Sequence, residues 1–264
     1  MKNRANLKYQ KPKIQSVKNY TTILVNVLLE ELHSTKGIAL VAVFAALHAV
    51  LSSLPYSIAI GVGGGSITLG VISAPLVGIL LGPITGGISV LIGSVIGMFL
   101  NPAGAIFGAI SFLPATIGAF SAGFTITKKG YISAVMILIP LILFYVHPSG
   151  GQAMIYPFMH IIALFIALAF STKLAVWSTE MYNIKKLSVG IPVAAFVGTL
   201  TDHITGSTLA LWTFDLPSEI WNSIIFIYPI ERIVAVIITT AIALPLYYSL
   251  RKSGIFSLIK GVKS

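Results

Sequence analysis

Charged residues are scarce in this chain: only 9% of its 264 residues are Asp, Glu, Lys or Arg, whereas 56% are hydrophobic. A soluble globular domain carries roughly 25% charged residues, which cover the surface that faces water. With so little charge and a mean hydropathy of +0.95, this chain must place much of its surface against lipid. The composition excludes a cytosolic enzyme and a nucleic-acid-binding protein, and it predicts an integral membrane protein.

Cysteine is absent altogether. Disulfide scaffolds, thiol nucleophiles, iron–sulfur clusters and the usual structural zinc sites all depend on cysteine, so each is excluded. The sequence also lacks a G-x-x-x-x-G-K-[ST] phosphate loop, and the GVGGG run at 61–65 does not supply one. That run is interpreted either as a flexible outer loop over a cavity or as a plain connector. We predict no cofactor, no metal and no enzymatic activity.

Long apolar stretches predict about eight transmembrane helices, each near the roughly 17–25 residues that a bilayer requires. The predicted spans are 37–54, 67–81, 83–100, 104–126, 131–146, 153–172, 188–212 and 223–250. The second and third are short and meet at Gly82-Pro83, so they form either one hairpin or a pair of half-helices. The expected fold class is an all-α, polytopic membrane bundle of about six to eight transmembrane helices.

Positive charge segregates to one side of this arrangement. Apart from Arg232, which lies inside the last span, every Lys and Arg precedes the first span or follows the fourth, sixth or last. Because positively charged loops stay in the cytoplasm, both termini are expected there, and the chain is expected to be a multi-pass protein of the cell membrane. Residues 1–36 then form a basic cytoplasmic tail, 37–250 the transmembrane domain and 251–264 a second basic tail.

Within the first tail, the sequence YTTILVNVLLEELH at 20–33 has the pattern of an amphipathic helix. Apolar side chains on one face and acidic ones on the other suit a helix that lies in the membrane interface. A helix that docks a partner protein is the alternative interpretation.

Polar side chains recur at helical spacing near the predicted outer ends of several spans. Thr199, Asp202, His203 and Gly206 form such a stripe on the seventh span. Together these positions predict an outward-open cavity for a small molecule. The candidate substrate-binding residues are His48, Asn101, Tyr156, His160, Asp202, His203, Tyr228, Glu231 and Arg232.

The ionisable residues of the last two predicted spans are expected to lie at a similar depth in the bilayer. An unpaired charge near the middle of a bilayer costs at least a few kcal/mol, so Arg232 is expected to pair with Asp202 or Glu231. Three interpretations remain open for this group: a buried ion pair that locks two helices, a substrate-binding site, or a proton relay.

Small residues mark one strip of the first span. Ala42, Ala45, Ala46 and Ala49 follow the three- and four-residue spacing of a single helix face. Such a face lets another helix approach closely. That helix belongs either to this chain, as internal packing, or to a partner subunit.

Three segments together resemble the substrate-binding S component of an energy-coupling-factor (ECF) transporter. They are LVAVFAALHAVLSSLP in the first span, ITLGVISAPLVGILLGPITGGISVLIGSVIGMFL in the next two, and YPIERIVAVIITTAIALPLYYSL in the last. The resemblance implies a six-helix core, to which residues 131–172 add a hairpin. It also implies that the alanine face docks a transmembrane coupling subunit, which two cytoplasmic ATPases drive.

We therefore predict a membrane subunit that captures a vitamin or a similar micronutrient from outside and passes it to an ATP-driven module, with membrane lipid around it. Two alternatives remain. A proton-coupled secondary transporter would use Asp202, His203 and Glu231 as a relay. An intramembrane enzyme would use the same residues as acid and base, although no nucleophile or metal motif accompanies them.

Overall fold

A computed structural model describes residues 35–58, 66–171 and 183–252 of the chain. Within these ranges the chain is helical, apart from one antiparallel pair of short strands, β1 Pro55–Ile58 and β2 Ser66–Thr68. The helices described are α1 Thr35–Ser53, α2 Gly70–Leu81, α3 Pro83–Leu100, α4 Leu113–Ile126, α5 Gly130–Val146, α6 Pro148–Gln152, α7 Phe158–Ala169, α8 Ile184–Phe214, α9 Ser218–Ser223 and α10 Ile227–Lys252. The predicted amphipathic helix at 20–33, the GVGGG run and the chain after 252 lie outside the described residues.

Four helical segments among the described residues are long and apolar enough to cross a membrane, judged by length and composition. They are Pro83–Leu100, Gly108–Ile126, Ile184–Phe214 and Ile227–Leu250. Shorter apolar helices occupy Gly37–Ser53, Gly70–Leu81, Gly130–Val146 and Phe158–Ala169. All eight coincide with predicted spans, while the number that cross a bilayer stays a prediction.

The second and third predicted spans form two separate helices. Gly82, with φ at 81°, breaks the chain between α2 and α3, and Pro83 begins α3 at a position where its missing N–H is not needed. The two helices pack against each other as a hairpin. Every residue of α2 is buried, so this helix of 12 residues forms the centre of the bundle.

Several predicted helix ends were wrong, and backbone chemistry explains them. The fourth span was expected to begin at residue 104, but two short 3₁₀ turns, Pro102–Gly104 and Gly108–Ile110, precede α4. Prolines and the positive φ of Gly108 prevent a continuous α-helix there. The sixth span was expected from 153, whereas α7 begins at Phe158 after a run of turns.

Helices α8 and α10 pack against each other, and each has two dissimilar parts. In the packed half, Leu187 and Ile191 of α8 join Ala243 and Tyr247 of α10 in an apolar cluster with α2, α3 and α4. In the polar half, α8 and α10 present the predicted polar residues of 199–207 and 228–232. The bundle is therefore tightly filled at one level and hydrogen-bonded at another.

Glycine permits a close contact between α4 and α8. A Cβ atom at Gly198 of α8 would lie 2.6 Å from the Ala122 Cβ and 3.0 Å from the carbonyl oxygen of Gly118, both in α4. A Cβ at Gly118 would in turn lie 2.9 Å from the carbonyl oxygen of Gly198. Only glycine at both positions allows these two backbones to touch.

Candidate functional site

The polar half encloses a cavity of about 240 Å³. Its lining comes from β2, from α1, α2, α3, α4, α8 and α10, and from the loop after α3, the turns before α7 and the segment around α9. Eight predicted site residues line it: His48, Asn101, Tyr156, Asp202, His203, Tyr228, Glu231 and Arg232. The structure therefore brings these residues together from distant parts of the sequence, and their role in binding stays a prediction.

His48 is held from both ring nitrogens by neighbouring helices. Its Nδ1 lies 2.7 Å from the Ser73 hydroxyl in α2, and its Nε2 lies 2.9 Å from the Ser94 hydroxyl in α3. All three side chains are buried. Because both nitrogens are satisfied by the protein, His48 links three helices at the cavity wall, and a ligand would have to compete with two short hydrogen bonds to engage it.

Asn101 lies where α3 ends and joins that end to α1. Its side-chain amide donates a hydrogen bond of 3.1 Å to the carbonyl oxygen of Ser53, the last residue of α1. This bond satisfies one of the carbonyls that a helix end leaves without an intrahelical partner. Asn101 thus fixes the cavity wall at the C-terminal ends of two helices.

Among the described residues Arg232 forms one ion pair, and it is one of the two pairings that the sequence predicted. The nearest carboxylate oxygen to Arg232 is Glu231 Oε2, 3.9 Å from Nη2, and both residues belong to α10. No ion pair joins Arg232 to Asp202 within 4.0 Å among the residues that the structure describes. The predicted pairing of Arg232 with Glu231 is therefore observed, and this contact lies within one helix and does not itself join two. Whether the charged group locks helices, binds a substrate or relays protons stays a prediction.

His160 lies outside the cavity wall and supports it. Its Nε2 is 3.0 Å from Nδ1 of His203, and the two rings are stacked with centroids 5.1 Å apart. The Tyr228 ring stacks on both, at 4.8 Å from His203 and 5.5 Å from His160. Since His203 and Tyr228 line the cavity, this stack forms an aromatic wall with His160 behind it.

Tyrosine hydroxyls tie the aromatic wall to the bundle. The Tyr156 hydroxyl is 2.8 Å from the Ser207 hydroxyl in α8, and the Tyr228 hydroxyl donates a 2.7 Å hydrogen bond to the Tyr156 carbonyl oxygen. Tyr156 also contacts Trp221, with ring centroids 5.0 Å apart. These contacts hold the rings in place without a ligand.

Some cavity residues were not among the predicted ones. Ser94, Ser207 and Trp221 line the wall, and Ser73 lies behind it. Ser207 follows His203 by four residues, so the spacing of the α8 stripe could have identified it. No pattern in the sequence distinguishes Ser94 from the other serines of the apolar helices, because its hydrogen bond partner lies 46 residues away.

The four alanines of α1 do not share one exposed surface. Ala45 and Ala49 are 3% exposed and pack toward α3, where a Cβ at Gly93 would collide with the Ala45 carbonyl oxygen. Ala42 and Ala46 are exposed. In this structure only Ala42 and Ala46 are available to a docking partner, while Ala45 and Ala49 serve internal packing.

Comparison with known proteins identifies a sequence relative. An uncharacterized protein of Methanocaldococcus jannaschii is 35% identical over 163 residues, which cover 61% of this chain and 54% of that relative. The chain thus spans about half of the relative's length. No protein-family model matches the chain, and no solved structure matches it.

Proposed function

We propose that this chain is the substrate-capture subunit of an ECF-type importer, a multi-pass protein of the cell membrane with both termini in the cytoplasm. It binds a vitamin or a similar small micronutrient from outside, and a coupling subunit with two ATPases delivers it inside. The observation that carries this proposal is the cavity, whose lining includes three ionisable side chains, Asp202, Glu231 and Arg232.

The outer surface of the helices supports a membrane location. Large apolar side chains face outward along α5, α7 and α10, for example Ile139 at 56%, Phe165 at 65% and Ile237 at 60% exposed. Apolar surface of this extent is unfavourable in water and favourable against acyl chains. Charges kept inside such a bundle are costly, so they are retained where they bind a substrate or an ion.

The exposed part of α1 supports a docking role. Ala42 and Ala46 lie four residues apart on an exposed face and leave room for a second helix to approach closely. The cavity opens among other residues of the bundle, and neither alanine lines it. Docking and substrate binding are thus separable by mutation.

The first experiment tests assembly without a known substrate. The tagged chain is co-expressed with the coupling subunit and the ATPases of the source organism, and its detergent extract is purified on the tag. We expect all partners to co-purify, and Ala42→Trp or Ala46→Trp to abolish this because the indole fills the space of the partner helix. Ala241→Trp is the matched control, since Ala241 is an exposed alanine of α10.

Absence of the coupling subunit from the purified native chain would contradict the proposal. That outcome favours a proton-coupled secondary transporter, for which the hydrogen bond between His160 and His203 beside Asp202 offers a proton path. Equal loss of co-purification with Ala241→Trp would show that the α1 variants act through general misfolding.

Cysteine labelling tests the proposed topology. The chain has no native cysteine, so single cysteines can be introduced at exposed positions. Pro217→Cys is expected to react with a membrane-impermeant maleimide on intact cells, whereas Lys129→Cys and Ser188→Cys react only after lysis. All three residues are exposed in the structure. Labelling of Lys129→Cys on intact cells would overturn the orientation.

A further inference from the structure

The guanidinium of Arg232 is buried, and no residue that the structure describes forms a hydrogen bond with it. Arg232 is 4% exposed, and its Nε atom has no hydrogen-bond partner among the described residues. The only ion pair it forms in that part of the chain, with Glu231 at 3.9 Å, is longer than a hydrogen bond. A buried cation with five N–H donors and no acceptor is unfavourable unless another molecule supplies the acceptor. Arg232 lines the cavity, so that molecule would bind there.

Asp202 is the complementary group on the opposite helix. Its carboxylate lines the same cavity from α8, and it forms no hydrogen bond or ion pair within the ranges that the structure describes. Two opposite charges that share a cavity without contacting each other leave space for a ligand between them. Such a ligand would present an acceptor to Arg232 and a donor to Asp202.

The aromatic wall of the same cavity restricts the shape of the ligand. His203 and Tyr228 present stacked rings to the cavity, with an angle of 28° between their planes. Offset stacking on such a wall favours a flat, aromatic molecule. At about 240 Å³, the cavity is smaller than the roughly 300–1,000 Å³ of typical drug-sized sites, so the molecule must be small.

We propose that the substrate of this site is a small aromatic zwitterion. Its carboxylate is bound by Arg232, its amine or another protonated nitrogen is bound by Asp202, and its ring lies against His203 and Tyr228. The inference rests on the proposed function, because it names the chemical class of the captured nutrient. A carboxylate fits better than a phosphate, since Glu231 and Asp202 repel a second negative charge and the planar guanidinium fork matches a carboxylate.

Binding of small probe molecules to the purified chain in detergent tests the proposed substrate class directly. The probes are the 2-, 3- and 4-(aminomethyl)benzoates, which vary the spacing between acid and amine, with 4-methylbenzoate and 4-methylbenzylamine as analogues of similar size that carry one charge. Isothermal titration calorimetry and thermal shift are the measurements. We expect saturable binding of at least one zwitterion, and about 10- to 100-fold weaker binding of both single-charge analogues, the change that one lost charge-assisted hydrogen bond produces.

Two variants should change which of the probes the cavity binds more tightly. Asp202→Asn is expected to weaken zwitterion binding about 10-fold or more and to bring 4-methylbenzoate to equal or higher affinity, because the repulsive carboxylate is gone. Arg232→Gln should do the reverse and favour 4-methylbenzylamine. The matched controls are Glu219→Gln and Lys252→Gln, which remove exposed charges outside the cavity. Asn is nearly isosteric with Asp, so the test remains decisive even if Arg232→Gln does not fold.

The proposal is overturned if no zwitterion binds in the millimolar range, or if single-charge analogues bind as tightly as the zwitterions. It is also overturned if Asp202→Asn leaves the preference unchanged. These measurements use the chain without its partners. If no probe binds as expected but the coupling subunit co-purifies, the substrate class is rejected and the proposed function stands. If a zwitterion binds as expected but the coupling subunit does not co-purify, the proposed function alone is rejected.

Discussion

The packed half and the polar half are built from the same helices, yet they are held together by different forces. On α8, Ile191 and Ala195 are fully buried in an apolar cluster, whereas Asp202 and His203 line a cavity a few turns further along. Helix α10 shows the same division in the reverse order along its sequence. Packing of apolar side chains dominates in the packed half, whereas hydrogen bonds between helices, such as that of Tyr156 with Ser207, add to the packing around the cavity. Matched substitutions on one helix can therefore separate the two contributions.

Glycine substitutions on α8 should give the largest difference. We expect Gly198→Ala to lower the free energy of unfolding by about 2 kcal/mol, because the new Cβ would overlap the neighbouring helix. Gly206→Ala should raise it by up to about 1 kcal/mol, since the nearest atoms lie 3.8 Å away and alanine favours the helix. Thermal unfolding of both variants in the same detergent is the measurement. Equal effects at the two positions would show that the halves do not differ in packing.

Serine substitutions on α3 should give the next largest difference. Ser94→Ala removes the partner of a buried His48 nitrogen, which costs about 1–3 kcal/mol. Ser89→Ala is the matched control in the packed half, because the Ser89 hydroxyl is bonded at 2.8 Å to the Thr85 carbonyl of its own helix. We expect it to change stability by less than about 0.5 kcal/mol. If Ser89→Ala destabilises as much as Ser94→Ala, the bond to His48 contributes nothing of its own.

Tyrosine substitutions on α10 should give the smallest difference. Tyr228→Phe deletes the 2.7 Å hydrogen bond to the Tyr156 carbonyl oxygen, worth about 0.5–1.5 kcal/mol. Tyr248→Phe, a matched change beside the packed cluster, should be nearly neutral, because the Tyr248 hydroxyl forms no hydrogen bond within the described part of the chain. Chemical unfolding curves resolve a difference of this size. If Tyr248→Phe lowers the free energy of unfolding more than Tyr228→Phe does, the tyrosine hydroxyl of the polar half contributes no special stability.

Helix positions were largely predictable from the sequence, and helix ends were less so. Runs of apolar residues identify α5 almost to the residue, because Gly130 and His147 bound it closely. The same runs continue through 104–112, where the structure has 3₁₀ turns instead. Hydropathy cannot detect this change, since it depends on backbone dihedrals at glycine and proline and not on side-chain polarity.

The membership of the cavity was predictable in part, and its connections were not. Spacing along α8 and α10 identified Asp202, His203 and Arg232, because residues three or four apart share a helix face. It could not show that Arg232 lies nearer to Glu231 than to Asp202, a matter of side-chain conformation. The alanine strip of α1 likewise gave no sign that Ala45 is buried and Ala46 exposed.

The sequence by itself determined the helical class, the membrane-like composition and the level at which polar residues gather, because these depend on local periodicity and on the cost of burying charge. The tertiary structure alone decided which polar groups satisfy one another. His48 is paired on both sides by serines of other helices, while Arg232 retains donors without an acceptor from the described residues. Such pairing depends on distances of a few tenths of an ångström between helices far apart in the chain, which no local pattern encodes.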